Sequence, residues 1–250
     1  MYVRSHEDMT MFHVSSNLCA NCNARKDGFC ANLGDAAIDC IAGISRIRRF
    51  RKGQVIVLDE DAQMNALILR TGMAKISHAL TDGRHQSVDF LTSGDALFHY
   101  LVDPAISVTV EAKTDIDACE VSLADLNSGC GGSQEFGQSL LGVVIGKIKQ
   151  KNDQVMMLGR KRAEERVASL LVDFSERAAR RGEPAEFLRL TMTRAEIADY
   201  LSLTTETVSR AFSLLKKMRI VRLPKPNDVV ICNVAGLLEI ARGGANLSVR

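Results

Sequence analysis

The sequence has little of what marks a disordered, membrane-spanning or secreted protein. Only 4 of its 250 residues are Pro and 18 are Gly, while 46% are apolar, which excludes disorder as the main state. The longest apolar stretch, residues 140–148, contains two Gly and a Lys and is far shorter than the roughly 20 residues that cross a bilayer. Residues 1–13 are polar where a signal peptide would have its apolar core. We therefore expect a cytoplasmic globular protein without a membrane partner.

Motifs of common enzymes are also absent from the sequence. The five His residues are dispersed, and the chain has neither a Gly-x-Ser-x-Gly motif nor the glycine run of a phosphate-binding loop. We therefore expect that the protein is not an enzyme.

The net charge is only +2, but the two parts of the chain differ. Residues 160–250 contain 17 Lys and Arg against 11 Asp and Glu, a net charge of +6, whereas residues 1–159 have a net charge of −4. A weakly acidic first part joined to a basic second part suggests that the second part binds a polyanion.

Three of the seven cysteines are closely spaced near the N-terminus: Cys19, Cys22 and Cys30, with two and then seven residues between them. Two intervening residues let one tight turn direct both thiolates at a single metal centre. Zinc would usually take a second close pair or a His pair, and neither follows, whereas an iron–sulfur cube accepts a lone distant cysteine. We therefore favour an iron–sulfur centre over zinc or an incidental group of thiols. Its fourth ligand would be one of the remaining cysteines, Cys40, Cys119, Cys130 or Cys232.

Residues 47–126 consist of short apolar segments separated by turns that contain Gly, a pattern typical of a small β-barrel or jelly roll. The pattern predicts strands at 54–58, 66–69, 73–77, 86–91, 107–111 and 116–121.

A long helix is predicted from Gln134, and a second helical stretch begins near Arg160. On the first helix an a/d seam recurs in steps of four and three residues, and we expect it to join two identical chains. The alternative is that this face packs on its own domain. The seam comprises Leu141, Ile145, Ile148, Asn152 and Val155, with Asp153 beside Asn152.

Residues 191–223 predict a helix-turn-helix. Thr193 and Glu196 form a capping box at the start of the first helix, and Thr204 is a candidate N-cap of the second. The second helix has an apolar stripe on one side and hydrogen-bonding side chains on the other, as a helix that enters the major groove requires. The candidates for reading bases are Glu206, Ser209 and Arg210, and those for DNA backbone contacts are Thr193, Thr205, Lys216 and Lys217. Strands at 220–223 and 228–232 predict a two-stranded wing, and a merely solvated charged helix is the alternative.

Together these features resemble the Crp/Fnr superfamily of transcription regulators, and within it the FNR-type oxygen sensors. The resemblance rests on the cysteine-bearing N-terminus, the glycines at 53, 72, 83 and 94, the Ala163–Arg166 segment, and Leu190-Thr-Met-Thr-Arg194 with Glu206-Thr-Val-Ser-Arg210. It implies an α+β fold with an N-terminal β-roll (double-stranded jelly roll) sensor domain, a long dimerisation helix and a C-terminal winged helix-turn-helix. The implied division is a cysteine-rich cluster-binding segment (1–45), the β-roll (46–133), the dimerisation helix (134–160) and the DNA-binding domain (161–250).

The resemblance also implies a function. A [4Fe–4S] cluster on Cys19, Cys22, Cys30 and Cys119 would control dimerisation, and the homodimer would bind an inverted repeat of TTGAT-type half-sites in double-stranded DNA. Such a regulator activates mainly at low oxygen and has RNA polymerase as a further partner. The alternatives are a Crp/Fnr regulator that binds zinc or responds to nitric oxide or thiol oxidation, and an iron–sulfur electron carrier or enzyme subunit without a DNA role.

Some residues depart from the family pattern. Seven residues rather than the better-known five precede the third cysteine, and residues 59–61 replace a usual turn glycine. Cys40 and Cys130 are extra thiols that could compete with Cys119. The stretch after Gly94, residues 95–109, contains no Arg that could bind a cyclic phosphate, so we expect that the β-roll does not bind a cyclic nucleotide.

Overall fold

The computed structural model describes residues 12–13, 16–56, 65–79, 82, 84–98, 107–125 and 134–244. The chain forms two compact units, residues 1–144 and 145–250. The first unit contains the strands β1 (Phe12–His13), β2 (Arg46–Phe50), β3 (Asn65–Thr71), β4 (Met73–Ala79), β5 (His85–Thr92), β6 (Ala96–Phe98), β7 (Ser107–Ala112) and β8 (Ile116–Ser122). Its helices are α1 (Ser16–Ala20), α2 (Asn23–Lys26), α3 (Asp35–Ile44) and α4 (Leu123–Asp125).

Helix α5 (Gln134–Arg160) begins in the first unit and ends in the second. The second unit continues with the helices α6 (Ala163–Arg181), α7 (Arg194–Leu201), α8 (Thr205–Lys217) and α9 (Val234–Ala241), and with the strands β9 (Phe187–Arg189), β10 (Val221–Lys225) and β11 (Asp228–Ile231). No helix among the described residues is long and apolar enough to cross a membrane.

Two antiparallel sheets make up the β-roll. Within the described residues their strand orders are β1-β2-β8-β3-β6 and β5-β4-β7. Because side chains alternate along a strand, β3 contributes to two cores. Leu67 and Leu69 pack in the interior of the roll, whereas Ala66 and Ile68 pack against residues from the N-terminal helices. The larger sheet is therefore covered on its outer face by the cysteine-bearing segment.

The strands predicted at 66–69, 73–77, 86–91, 107–111 and 116–121 are confirmed as β3, β4, β5, β7 and β8. Of the predicted strand at 54–58, Val55 makes a single bridge to Glu111, and residues 57–58 lie outside the described residues, as do residues 59–61. Strand β2 was not predicted, because it has three Arg among five residues. Their charges are compensated across the sheet, where Arg48 pairs with Glu120 at 2.9 Å on β8.

The helix-turn-helix of the second unit has the predicted caps. The Thr193 hydroxyl accepts the backbone N–H of Glu196, and the Thr204 hydroxyl accepts that of Thr207. Between the two helices the chain reverses at Ser202, whose φ of 52° is left-handed. The predicted two-stranded wing has a third strand, because β9 pairs with β11 in the sheet order β10-β11-β9.

Two glycines allow the cysteine-bearing loop to touch the β-roll. Gly28 and Gly94 both have left-handed φ values, of 119° and 96°. A Cβ atom on Gly94 would overlap the carbonyl oxygen of Asp27, and one on Gly28 would overlap the carbonyl oxygen of Gly94. The backbones of this loop and of the turn between β5 and β6 are thus in direct contact, which only glycine permits.

Gly94→Ala should therefore destabilise the first unit more than Gly53→Ala does. Gly53 has a similar φ of 84° but nothing within 4 Å of a Cβ atom, so its replacement costs only the left-handed backbone strain of about 1–2 kcal/mol. Gly94→Ala adds an overlap with backbone that cannot move aside, worth about 1–3 kcal/mol more. Urea unfolding of both variants measures the difference, and equal losses would contradict the close contact.

Candidate metal centre and nucleic-acid interface

The four predicted cysteine ligands line one small apolar cavity in the first unit. Cys19 lies on α1, Cys22 is the N-cap residue of α2, and Cys30 follows that helix. Cys119 lies on β8, between Ile47 of β2 and Ile68 of β3. Cys30 and Cys119, which are 89 positions apart in the sequence, are thus brought together by the packing of the N-terminal helices on the sheet.

The backbone around the cysteines has the tight turns that their spacing predicts. The N–H of Cys22 donates to the carbonyl oxygen of Cys19 at 3.1 Å, and the N–H of Arg25 donates to that of Cys22 at 3.0 Å. On β8, Cys119 and Val121 face the N-terminal helices while Ile116 and Ala118 face the interior of the roll. Strand alternation therefore directs the Cys119 side chain out of the roll.

Burial favours the protonated form of three thiols of this cavity, those of Cys19, Cys30 and Cys119. Burial, together with the charges of neighbouring cysteines, raises the pKa of Cys30 and of Cys119 to about 12. Burial and the charge of Cys22 also raise the pKa of Cys19. Four thiolates can therefore coexist here only around a positively charged centre.

Two Arg residues lie beside the thiols. Arg25 and Arg70 both line the cavity. The Arg70 charge acts to lower the pKa of Cys119 and of Cys19, against the larger effect of burial. Arg25 also pairs with Asp35 at 2.6 Å. The pair of cations would compensate the excess negative charge of a centre held by four thiolates.

The four cysteines line the cavity without converging on one point. Among the described residues, no group of three or more His, Cys, Asp or Glu side chains is close enough to share one metal ion.

The remaining cysteines are placed differently. Cys40 lies on α3 and is disulfide-bonded, so it is not a free thiol in this structure. Cys232 is an exposed free thiol in the second unit. Cys130 lies outside the described residues.

The predicted base-reading residues lie together on the exposed side of α8. Glu206, Ser209 and Arg210 are exposed, whereas the apolar stripe of the same helix is buried in the second unit. Hydrogen bonds from its own backbone N–H and from Thr204 lower the pKa of Glu206, which keeps it an acceptor. The predicted backbone-contact residues are exposed as well: Thr193, Thr205, Lys216 and Lys217.

Arg194 makes contacts beside these residues that the sequence did not indicate. Its guanidinium carbon lies 3.4 Å from the centroid of the Phe212 ring on α8, and Nη2 donates to the carbonyl oxygen of Pro226 at 3.0 Å. Arg194 thus links the first residue of α7 to the recognition helix and to the turn of the wing. No local pattern in the sequence indicates these contacts, because the partners are 18 and 32 residues away.

The predicted seam on α5 is exposed. Leu141, Ile145, Ile148 and Val155 are 58%, 56%, 57% and 69% exposed, and Asn152 and Asp153 are exposed too. Within the described part of the chain, no core thus covers these four apolar side chains.

Models of known protein families match a part of each of the two units. A model of the Crp-like helix-turn-helix domain matches residues 165–240, and one of the cyclic nucleotide-binding domain matches residues 47–131. The transcriptional activator protein FnrL of Cereibacter sphaeroides is 30% identical over 243 residues, which cover 94% of this chain and 95% of that protein. The fumarate and nitrate reduction regulatory protein of Vibrio cholerae is 30% identical over 227 residues, 89% and 90% of the two chains.

The structure of FixK2 from Bradyrhizobium japonicum superposes with a TM-score of 0.68 at 28% identity, over 79% of this chain and 97% of that one. The fold and the helix-turn-helix define a DNA-binding transcription regulator. The chain belongs to the Crp/Fnr family of such regulators. The predicted fold class and family are thereby confirmed, and the roles of individual residues stay predictions.

Proposed function

We propose that this protein is an oxygen-responsive transcription regulator that senses through a [4Fe–4S] cluster and acts mainly as an activator at low oxygen. The observation that carries the proposal is the convergence of Cys19, Cys22, Cys30 and Cys119 on one buried cavity. The similarity to FnrL and to fumarate and nitrate reduction regulatory proteins along nearly the whole chain supports it.

Cys19, Cys22, Cys30 and Cys119 would hold the cluster, which would supply oxygen-labile iron–sulfur chemistry at this cavity. Cys19, Cys22 and Cys30 belong to the N-terminal segment, and Cys119 belongs to the sheet that this segment covers. The ligated cysteines would therefore tie the segment to the β-roll. Without that tie, only apolar packing and a few hydrogen bonds hold it.

The seam of α5 would form the homodimer. Its apolar side chains are more than half exposed, and α5 contains Gly137, Gly142, Gly146 and Gly159, each of which costs a helix about 1 kcal/mol relative to Ala. Burial of Leu141, Ile145, Ile148 and Val155 against a second copy would offset this cost. Asn152 would fix the register of the two helices.

The dimer would place two copies of α8 about 34 Å apart, one helical turn of DNA. Arg210 would donate two hydrogen bonds to a guanine, Glu206 would accept from a cytosine amine, and Ser209 would contact a neighbouring base of a TTGAT-type half-site. Thr193, Thr205, Lys216 and Lys217 would contact phosphates, and RNA polymerase would be the partner in activation. Residues 94–108 contain no Arg to hold a cyclic phosphate, so the β-roll would be a scaffold without a cyclic nucleotide.

The other sensing mechanisms fit the site less well. A thiol-based redox sensor needs a lowered cysteine pKa, whereas burial raises the pKa of Cys30 and Cys119 to about 12. Zinc would usually take a second close cysteine pair or a His pair, and the sequence has neither after Cys30.

The function is tested by anaerobic purification with iron and sulfide counts and by DNA binding under argon and in air. The wild-type protein should contain equal amounts of iron and sulfide, about four of each per chain, and should bind an inverted repeat under argon but not in air. Cys119→Ser should lose both the cluster and DNA binding. Cys232→Ser, which removes an exposed thiol of the second unit, should keep both. Colourless protein that binds its site equally well in both atmospheres would refute the proposal.

Arg210→Ala and Lys217→Ala should weaken DNA binding in different ways. Arg210→Ala should cost about 1–3 kcal/mol of discrimination at one base pair of each half-site, since it removes a base contact. Lys217→Ala should weaken binding to all sequences equally and lower the salt dependence by about one counterion per half-site. Fluorescence anisotropy with single-base variants of the site, at several salt concentrations, distinguishes the two effects. If Arg210→Ala weakened binding to all sequences equally, the role of Arg210 in reading a base would be contradicted.

Asp153→Ala should make the protein dimeric in air. In a parallel pair of α5 helices, the two copies of Asp153 approach each other beside the seam, and their like charges oppose association. Gln154→Ala is the control, since it changes the adjacent uncharged residue of the same helix. Sedimentation velocity in air measures the state, and a monomeric Asp153→Ala would show that charge does not set the balance.

A further inference from the structure

The backbone N–H and the backbone carbonyl of Phe29 both form hydrogen bonds with elements that are distant in the sequence. Its N–H donates to the carbonyl oxygen of Gly94, in the turn between β5 and β6, at 3.4 Å. Its carbonyl oxygen accepts the hydroxyl of Ser139, on α5, at 2.6 Å. Phe29 directly precedes Cys30, and its side chain is fully buried. One peptide segment thus connects the candidate cluster site, the β-roll and the long helix, all within the first unit.

The hydrogen bond of Ser139 differs from those of Ser209 and Ser213. These two serines donate to the carbonyl four residues earlier in their own helix. Such bonds are local. The Ser139 hydroxyl instead reaches a residue 110 positions away, and the serine is buried.

Packing around this bond makes the contact specific. Leu140 and Val143, the next residues of α5 that face inward, pack against the core that contains Phe29, as the four cysteines also do. The adjacent Gly28 has no room for a Cβ atom against Gly94, so the two backbones are in direct contact beside this bond. A displacement of Cys30 therefore moves the Phe29 carbonyl and breaks the bond to Ser139, because two bonds of backbone join them.

We propose that Ser139 is the positioning residue through which α5 responds to the ligation of Cys30. With Cys30 held, the Phe29 carbonyl accepts the Ser139 hydroxyl and fixes the first turns of α5 on the core. With Cys30 released, this hydroxyl loses its acceptor and the start of the helix is no longer fixed. Since an α-helix transmits a shift along its axis, the seam that begins at Leu141 is affected directly. This inference rests on the proposed function, because it assumes that a cluster binds Cys30.

The test compares the dimer dissociation constant of cluster-loaded and metal-free protein under argon, by analytical ultracentrifugation. In the wild type, removal of the cluster should raise this constant strongly. In Ser139→Ala the ratio of the two constants should fall at least about tenfold, because the dimer loses two hydrogen bonds that each contribute roughly fivefold. Iron and sulfide contents should stay those of the wild type. Ser139→Thr, which keeps the hydroxyl, should restore the ratio.

Ser87→Ala is the matched control, because Ser87 is equally buried in the first unit but lies on β5, outside the core that contains the cysteines. In Ser87→Ala the ratio of the two dimer dissociation constants should equal that of the wild type. An unchanged ratio in Ser139→Ala would overturn the inference alone, and so would loss of iron from that variant, since Ser139 would then support the cluster itself. A wild-type ratio of one would instead refute the proposed function, and the inference with it.

Hydrogen exchange of the wild-type protein tests the same inference without a substitution, should Ser139→Ala fail to fold. Removal of the cluster should speed exchange in residues 134–144, at the start of α5, and leave β4 and β5 unchanged. Equal exchange of residues 134–144 in both forms would overturn the inference.

Discussion

The structure of the sensor unit depends on how the cysteine-bearing segment covers the outer face of the larger sheet. Strand alternation divides β3 and β8 between two cores, so one face of each fills the β-roll and the other packs beneath the N-terminal helices. The sheet fixes one thiol, on Cys119, and the covering segment fixes the other three. Any group that binds all four thiolates must therefore join the segment to the sheet. This constraint gives metal binding a structural consequence in this fold.

Electrostatics adds to the same constraint. Buried thiols are neutral without a metal, since burial raises the pKa of Cys30 and Cys119 to about 12, and they become thiolates only when a cationic centre displaces the protons. Arg25 and Arg70 at the same cavity favour that charged state. The core that holds the cysteines also holds the first turns of α5. Farther along the same helix the apolar side chains are exposed and suited to a second copy. One continuous helix thus packs on the core beside the cysteines at its start and exposes apolar side chains farther along.

Local rules predicted much of this from the sequence. The caps at Thr193 and Thr204, the apolar stripe of α8 and most strands depend on residues a few positions apart, and the structure contains them. What escaped prediction depends on distant partners. Strand β2 resembles a charged loop until Glu120 and Asp117 neutralise its arginines across the sheet. The contact of Arg194 with Phe212 and the bond between Ser139 and Phe29 exist only after the chain has folded. The prediction that Cys119 joins the other three cysteines rested on the family resemblance, because cysteine spacing alone left four candidates for the fourth ligand.

The most direct test of the central claim is native mass spectrometry of anaerobically prepared protein. The account predicts a dimer in which each chain carries four iron and four inorganic sulfide atoms, and monomers without iron after exposure to air. A chain that carries a single zinc ion, or an iron-free dimer under argon, would contradict it.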